Sequence, residues 1–252
     1  MFRQHGTPFF FFPNAHADRE HPPTMVAITE KMVRSRSEHN EGDITTMEEI
    51  SLHQQDITRL TGLDKMCRHL KILYLQNNLI PKIENMKRLK ELEYVNFALN
   101  NITKVEGLEN CESLNKLDFT VNFIDIDELQ SFESLKHLYA LREIHMMGNP
   151  CTDFPEWRPY LVATLPQLEI VDGEDVTPSE RIKALQELPA ILERLKPAVA
   201  QNRIKNKKRR DEAAAAEERE AAEKEAAEQE DMMAGREQAK SMLEQLNKGK
   251  KG

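Results

Sequence analysis

Ile50-Ser-Leu52-His-Gln-Gln55-Asp-Ile57 is followed by Leu73-Tyr-Leu75-Gln-Asn-Asn78-Leu-Ile80, and then by Val95-Asn-Phe97-Ala-Leu-Asn100-Asn-Ile102. Leu117-Asp-Phe119-Thr-Val-Asn122-Phe-Ile124 and Ile144-His-Met146-Met-Gly-Asn149-Pro-Cys151 complete five copies of one frame. The amide side chains stand at 55, 78, 100, 122 and 149, so successive steps are 23, 22, 22 and 27 residues. In each copy two apolar residues flank a single residue, which puts the pair on one face of a short strand. Four near-equal periods of this length mark a stack of repeats, because one such coil cannot bury its own apolar face.

The frame L-x-L-x-x-N-x-I predicts a leucine-rich repeat solenoid of the α/β class: a curved parallel sheet with short helices or 3₁₀ turns on the convex side, helical caps and a C-terminal charged tail, helical or disordered. Each Asn falls where the chain leaves its strand, and stacked copies would form a ladder satisfying buried loop amides and carbonyls. Gln55 replaces Asn in the first copy, as suits a terminal repeat with one open side. A second apolar set, Leu60 and Leu63, Ile83 and Met86, Val105 and Leu108, is expected to pack the convex side in 3₁₀ turns, since the period leaves little room for a full helix. The longer fourth repeat is expected to insert a real helix rather than 3₁₀ turns between Asp125 and Ala140, using Leu129, Phe132, Leu135 and Leu138.

The 252 residues divide into 1–24, 25–47, 48–151, 152–188 and 189–252. In the first segment Phe9 to Phe12 are too short an apolar run for a signal peptide. The expectation is a disordered leader, not necessarily native, with Met25 as an alternative start. Residues 25–47 should cap the solenoid with a helix: Thr29 as N-cap, Ile28 packing forward onto Met32 or Val33, and Asn40 and Gly42 ending it. Residues 152–176, rich in Trp157, Tyr160, Leu161, Leu165, Leu168, Ile170 and Val171, should close the far end with one last strand and a tight turn. Thr177-Pro178-Ser-Glu180 opens an exit helix with a capping-box pattern, an apolar stripe of Ile182, Leu185 and Leu188, and an interruption at Pro189. The basic run Arg203–Arg210 precedes an acidic, alanine-rich stretch to Asp231; helix propensity is high there, Glu220–Lys224 and Glu244–Lys248 are well-placed pairs, and no apolar heptad runs through it. A nuclear import or RNA patch is one reading of the basic run and a solvated helix face is the preferred one.

Net charge is −8 with 31% charged residues, which argues against a nucleic-acid partner. Cys67, Cys111 and Cys151 are scattered, without CxxC or a His pair at ligand spacing, so no metal or cofactor is expected and a reducing compartment is. No apolar run approaches the roughly 20 residues of a membrane span. No phosphate loop, dinucleotide fingerprint or nucleophile context appears, so an enzyme is not expected.

Strand residues that do not point inward should line the concave face in three columns. These are Glu49, Ile72, Tyr94, Lys116 and Glu143; Ser51, Tyr74, Asn96, Asp118 and His145; and His53, Gln76, Ala98, Thr120 and Met147. Solenoids use this surface for partners, and Tyr74 and Tyr94 are of the type enriched at hot spots, so the columns are the candidate protein-binding site. Asp118 and His145, neighbours in one column, are expected to pair as surface groups. The protein is expected to be a monomer.

Glu49-Ile-Ser-Leu-His-Gln-Gln55, Leu70-Lys-Ile-Leu-Tyr-Leu-Gln-Asn-Asn-Leu-Ile80, Met147-Gly-Asn-Pro-Cys151, Val162-Ala-Thr-Leu-Pro-Gln-Leu168 and Pro178-Ser-Glu-Arg-Ile-Lys-Ala-Leu185 resemble the tilB family of leucine-rich-repeat axonemal dynein assembly factors. The resemblance covers roughly residues 25–188. It implies a cytoplasmic, non-enzymatic factor for preassembly of dynein arms, needed for motile cilia or flagella, with a cilium, flagellum or basal-body location also open. The partners it implies are dynein-arm subunits, a MYND zinc-finger assembly factor, RuvB-like ATPases and Hsp90-type chaperones. The family continues into a C-terminal CS-like domain, whereas this sequence stops at Lys250-Lys-Gly252, so either a truncated chain or a short form lacking that domain is expected. Two other readings remain, a phosphatase-one regulatory repeat subunit and a nuclear or RNA-associated repeat protein.

Overall fold

The computed structural model describes residues 25–37 and 43–249, so the leader reading for 1–24 and the helix stop at Asn40 and Gly42 lie outside the described residues. The chain divides into two compact units, Met1–Ile191 and Leu192–Gly252.

In the first unit the five repeats place five parallel strands side by side: β1 Glu49–Ser51, β2 Ile72–Tyr74, β3 Tyr94–Asn96, β4 Lys116–Asp118 and β5 Glu143–His145. Beyond each strand the N–H groups of Leu52, Leu75, Phe97 and Phe119 go on to bond the carbonyls of Tyr74, Asn96, Asp118 and His145 in the next repeat. A sixth parallel strand, β6 Ile170–Val171, joins β5, and β7 Glu174–Asp175 turns back antiparallel to it. Asp172 and Gly173 between them have φ of 53° and 79°. That is the pair of left-handed residues a two-residue hairpin needs, and Asp-Gly supplies it at low cost. The expected last strand and turn are therefore present, with a second hairpin strand added.

Inward-facing side chains stack from coil to coil. Leu73, Leu75, Val95, Phe97, Leu117, Phe119, Ile144 and Met146 are fully buried, and the Phe97 and Phe119 rings stack with centroids 5.7 Å apart. The convex set Leu60, Leu63, Ile83, Met86, Val105 and Leu108 is buried as well. Its backbone forms a short helix only at α2, Leu63–Met66; turns suffice in the second and third coils. The insertion in the fourth repeat is not the full helix expected but a 3₁₀ helix, Ile126–Leu135. Leu129, Phe132, Leu135 and Leu138 recur every three residues, and at three residues per turn they fall on one line into the core. Asp125 caps it by accepting from the Ile126 N–H at 2.7 Å.

The buried amides form the ladder. Asn78 Nδ2 donates to Leu52 O and Leu75 O, Asn100 to Leu75 O and Phe97 O, Asn122 to Phe97 O and Phe119 O, and Asn149 to Phe119 O and Met146 O, all at 2.8–3.0 Å. Each Oδ1 accepts a backbone N–H from the coil before it, those of Ile57, Ile80, Ile102 and Ile124. Every rung thus ties two coils together. Asp172 adds a rung that the repeat frame does not announce, accepting from Met146 N at 2.6 Å and Met147 N at 3.2 Å. Gln55 is only half-buried and turns its amide onto its own His53 and Gln54 carbonyls.

At the N-terminal end, Thr58 and Arg59 N–H groups bond Val26 O, and α1, Glu30–Ser35, follows with Thr29 Oγ1 accepting from Met32 N. The helix ends at Ser35 because Ser35 and Ser37 hydroxyls bond the Met32 and Arg34 carbonyls, a side-chain competitor to further helix. Val33 and Ile28 are buried. At the far end α3, Trp157–Thr164, buries Tyr160, Leu161 and Val162. Arg158 there bonds Val171 O and the carboxylate of Glu180.

Helix α4 runs from Pro178 to Gly249. Thr177 Oγ1 accepts from Glu180 N as expected, but Glu180 gives its carboxylate to Arg158 rather than back to the cap. The expected stripe is displaced: Ile182 and Leu185 are exposed, while Ala184 and Ile191 are buried with Leu188 half-buried. Pro189 lies inside the helix and does not end it. In the second unit the side chains of residues 207–224 are exposed and include the Glu220–Lys224 pair at 3.0 Å; Glu244–Lys248 lies outside the described side chains. Among the described residues no helix is long and apolar enough to cross a membrane.

Asn100→Ala removes two donated bonds and strips Ile80 N–H of its buried acceptor. The loss should be about 1–3 kcal/mol, read as a lower urea midpoint with unchanged slope.

Candidate functional site

Parallel pairing in strict register brings the three columns together. Glu49, Ile72, Tyr94, Lys116 and Glu143 are consecutive partners across β1–β5, and so are Ser51, Tyr74, Asn96, Asp118 and His145. The third column is aligned by Gln54, Asn77, Leu99 and Val121, whose N–H groups bond the carbonyls of Gln76, Ala98, Thr120 and Met147. His53 starts that column, its Nδ1 2.7 Å from Ser51 Oγ.

A connected network occupies the middle of the face. Tyr74 meets Tyr94 edge to face, centroids 5.7 Å apart and planes at 89°, a geometry contributing about 0.5–1.5 kcal/mol beyond burial. Lys116 Nζ lies 5.5 Å from the Tyr94 ring centroid and donates to Glu143 Oε1 at 2.9 Å. Asn96 Nδ2 donates to the Tyr94 hydroxyl, and Asn96 Oδ1 accepts from Ala98 N. His145 does not reach Asp118. Its Nε2 lies 2.7 Å from Glu143 Oε1, and Asp118 Oδ1 accepts from Thr120 N at 2.9 Å. Residues two apart on a strand share a face, so Glu143 was always within reach of His145, and the backbone N–H two residues on holds Asp118 locally.

Burial pushes the Glu143 carboxyl up, but the bonds from Lys116 and His145 outweigh it and hold it below the usual carboxylate range. Lys116 is pushed up by the Glu143 bond against an opposing effect of burial. Burial raises the Tyr94 hydroxyl. Gln76 Oε1 is buried without a hydrogen-bond partner. Three carboxylates, Glu49, Asp118 and Glu143, share the columns with one ammonium, Lys116. The face is therefore acidic and partly aromatic. The cysteines play no part in it: all three are buried free thiols, pushed up by burial to about 11 for Cys67 and about 12 for Cys111 and Cys151. Among the described residues no group of three or more His, Cys, Asp or Glu is placed to hold a metal.

One feature beside the columns escaped the sequence reading. The residue before each ladder amide has positive φ: Gln54, Asn77, Leu99, Val121 and Gly148, at 54°, 57°, 56°, 53° and 76°. Gly and Asn accept this conformation readily; for Leu and Val it costs roughly 1–2 kcal/mol each. Leu99 and Val121 are nonetheless 50% and 40% exposed, next to Met147 at 54% and Phe123 at 52%. The signal was in the sequence as two apolar residues at the turn position, but its weight depends on a φ that only the fold reveals.

A family model described as leucine-rich repeat matches residues 25–191. This chain belongs to the leucine-rich repeat family. Among curated relatives it is 56% identical over 171 residues to dynein axonemal assembly factor 11 of Danio rerio, 68% of this chain and 38% of that protein. It is 52% identical over 189 residues to the Mus musculus protein of the same name, 75% of this chain and 40% of that one. It is 56% identical over 164 residues to protein tilB of Drosophila melanogaster, 65% and 41% respectively. The resemblance to the tilB proteins is thus borne out over the repeats, and the chain spans about two fifths of the length of these relatives. In fold it resembles a chain of the Drosophila melanogaster SNF/U2A′ complex, with a TM-score of 0.57 at 23% identity, covering 68% of this chain and 99% of that one.

Because the folded Glu143 carboxyl is held low, its tie to Lys116 and His145 contributes stability above the unfolded carboxylate pKa of about 4.3 and loses it as pH falls through the lower folded value. Glu143→Gln should flatten that part of the stability profile on the acid side, measured by urea titration at a series of pH values.

Proposed function

We propose that this chain is a non-enzymatic scaffold for cytoplasmic preassembly of axonemal dynein arms, holding protein partners on the concave face of its repeats. The observation that carries the reading is the 56% identity to dynein axonemal assembly factor 11 across the solenoid that builds that face. The face suits such a role because it is formed before binding. Its tyrosine pair, Lys116 and Glu143 are already held by one another, so little ordering cost remains when a partner docks. The docking residues are those of the three columns, centred on Tyr74, Tyr94, Asn96, Lys116, Asp118 and Glu143. The partner classes that the tilB likeness implies are dynein-arm subunits, the MYND zinc-finger factor, RuvB-like ATPases and Hsp90-type chaperones. The action is placed in the cytoplasm of cells that build motile cilia or flagella.

The test is genetic and structural. Motile-ciliated cells lacking this protein should grow cilia whose axonemes, viewed by electron microscopy, lack dynein arms; re-expression of the chain should restore them. Tyr74→Ala with Tyr94→Ala, expressed at the same level and folded by circular dichroism, should restore few. Normal arms in the null cells would sink the assembly role, and full rescue by the double variant would move the docking site off this face.

A further inference from the structure

We infer that the concave face and the edge beside it together seat one segment of a protein partner that is amphipathic, with basic side chains on one side and apolar ones on the other. This deepens the reading above and rests on its assignment of the concave face as the docking surface.

The apolar half comes from Leu99, Val121 and Met147. Backbone bonds from Leu99 N to Thr120 O and from Val121 N to Met147 O put these residues on consecutive turns of β3, β4 and β5. All three side chains are about half exposed. At the same turn the first, second and fifth repeats use Gln54, Asn77 and Gly148, two polar residues and one with no side chain. The third and fourth repeats instead hold a leucine and a β-branched valine in the left-handed region, in water. Both the backbone conformation and the exposed surface are unfavourable in the free protein, and Asn or Gly would relieve both. Outliers of this kind point to use of the side chain.

The basic half follows from charge. Carboxylates outnumber ammonium groups on the adjoining columns, and the single lysine is already bonded to Glu143. Glu143 is held by Lys116 and His145, so an arriving guanidinium or ammonium meets Asp118, whereas an acidic segment meets like charge with little to offset it. A purely basic segment would leave the edge in water, and a purely apolar one would bury the carboxylates unpaired.

The experiment uses the full chain and three labelled synthetic helical peptides, followed by fluorescence anisotropy at physiological salt. The first has an arginine face and a leucine face; the second carries Glu in place of Arg; the third carries Ser in place of Leu. The first should bind roughly tenfold tighter than either of the others. Leu99→Asn with Val121→Asn should bring its affinity down to that of the third, while the melting temperature holds or rises as the turn strain is relieved. Asp118→Asn should weaken the first peptide several-fold. Equal binding of the glutamate peptide overturns the charge assignment, and equal binding of the serine peptide overturns the apolar edge. Variants that bind like the parent, or an edge variant that melts lower, overturn the location. If the peptides fail but the tyrosine variant still cannot restore dynein arms, the docking face stands and its partner chemistry is wrong. If the peptides behave as expected while null cells keep normal arms, the surface is right and the assembly role is not.

Discussion

A buried asparagine amide after each of the strands β2 to β5 is the constraint on which this structure depends. It has two donors and an acceptor to satisfy, and water cannot reach it. Asn100 meets that demand by taking carbonyls from its own coil and the one before, and an N–H from the one before. A rung of this kind works only when neighbouring coils lie one strand spacing apart, so the amide sets the stacking while the length of a coil can vary. It also sets the backbone around it. To swing the amide inward, the residue before it takes a left-handed conformation in every repeat. The left-handed backbone at Leu99 and Val121 is a consequence of the ladder; the apolar side chains placed on it are not.

The same stacking writes the concave face. With every strand parallel and in register, residues 22 to 27 apart in sequence become cross-strand neighbours. Lys116 can therefore reach Glu143 from the adjacent repeat and lie beside Tyr94 of the previous one. The insertion before β5 adds length without breaking register, because its 3₁₀ turns feed Leu129, Phe132 and Leu135 into the core on the convex side. The sheet face is left uninterrupted.

Much of this was legible. The columns, the core pairs and the rungs at Asn78, Asn100, Asn122 and Asn149 follow from counting along one frame. Other features depend on choices that periodicity does not encode. His145 had a carboxylate on either side of it, and proximity along its own strand decided for Glu143 over Asp118. Asp172 serves as a rung although it lies in a hairpin turn outside the repeat frame. On α4 the spacing of Ile182, Leu185 and Leu188 suggested a buried stripe, yet the rotation set by Arg158 on Glu180 and by the Arg181–Leu168 bond turns Ala184 and Ile191 inward instead.

The sequence by itself determined the solenoid, its direction of stacking and the membership of each face, because a fixed period of apolar pairs and amides has one way to bury both. The tertiary structure alone decided which charged groups pair, which helix face is buried, and that two apolar side chains stand strained at the edge of the concave face. Those outcomes turn on distances and dihedral angles that the repeat period does not encode.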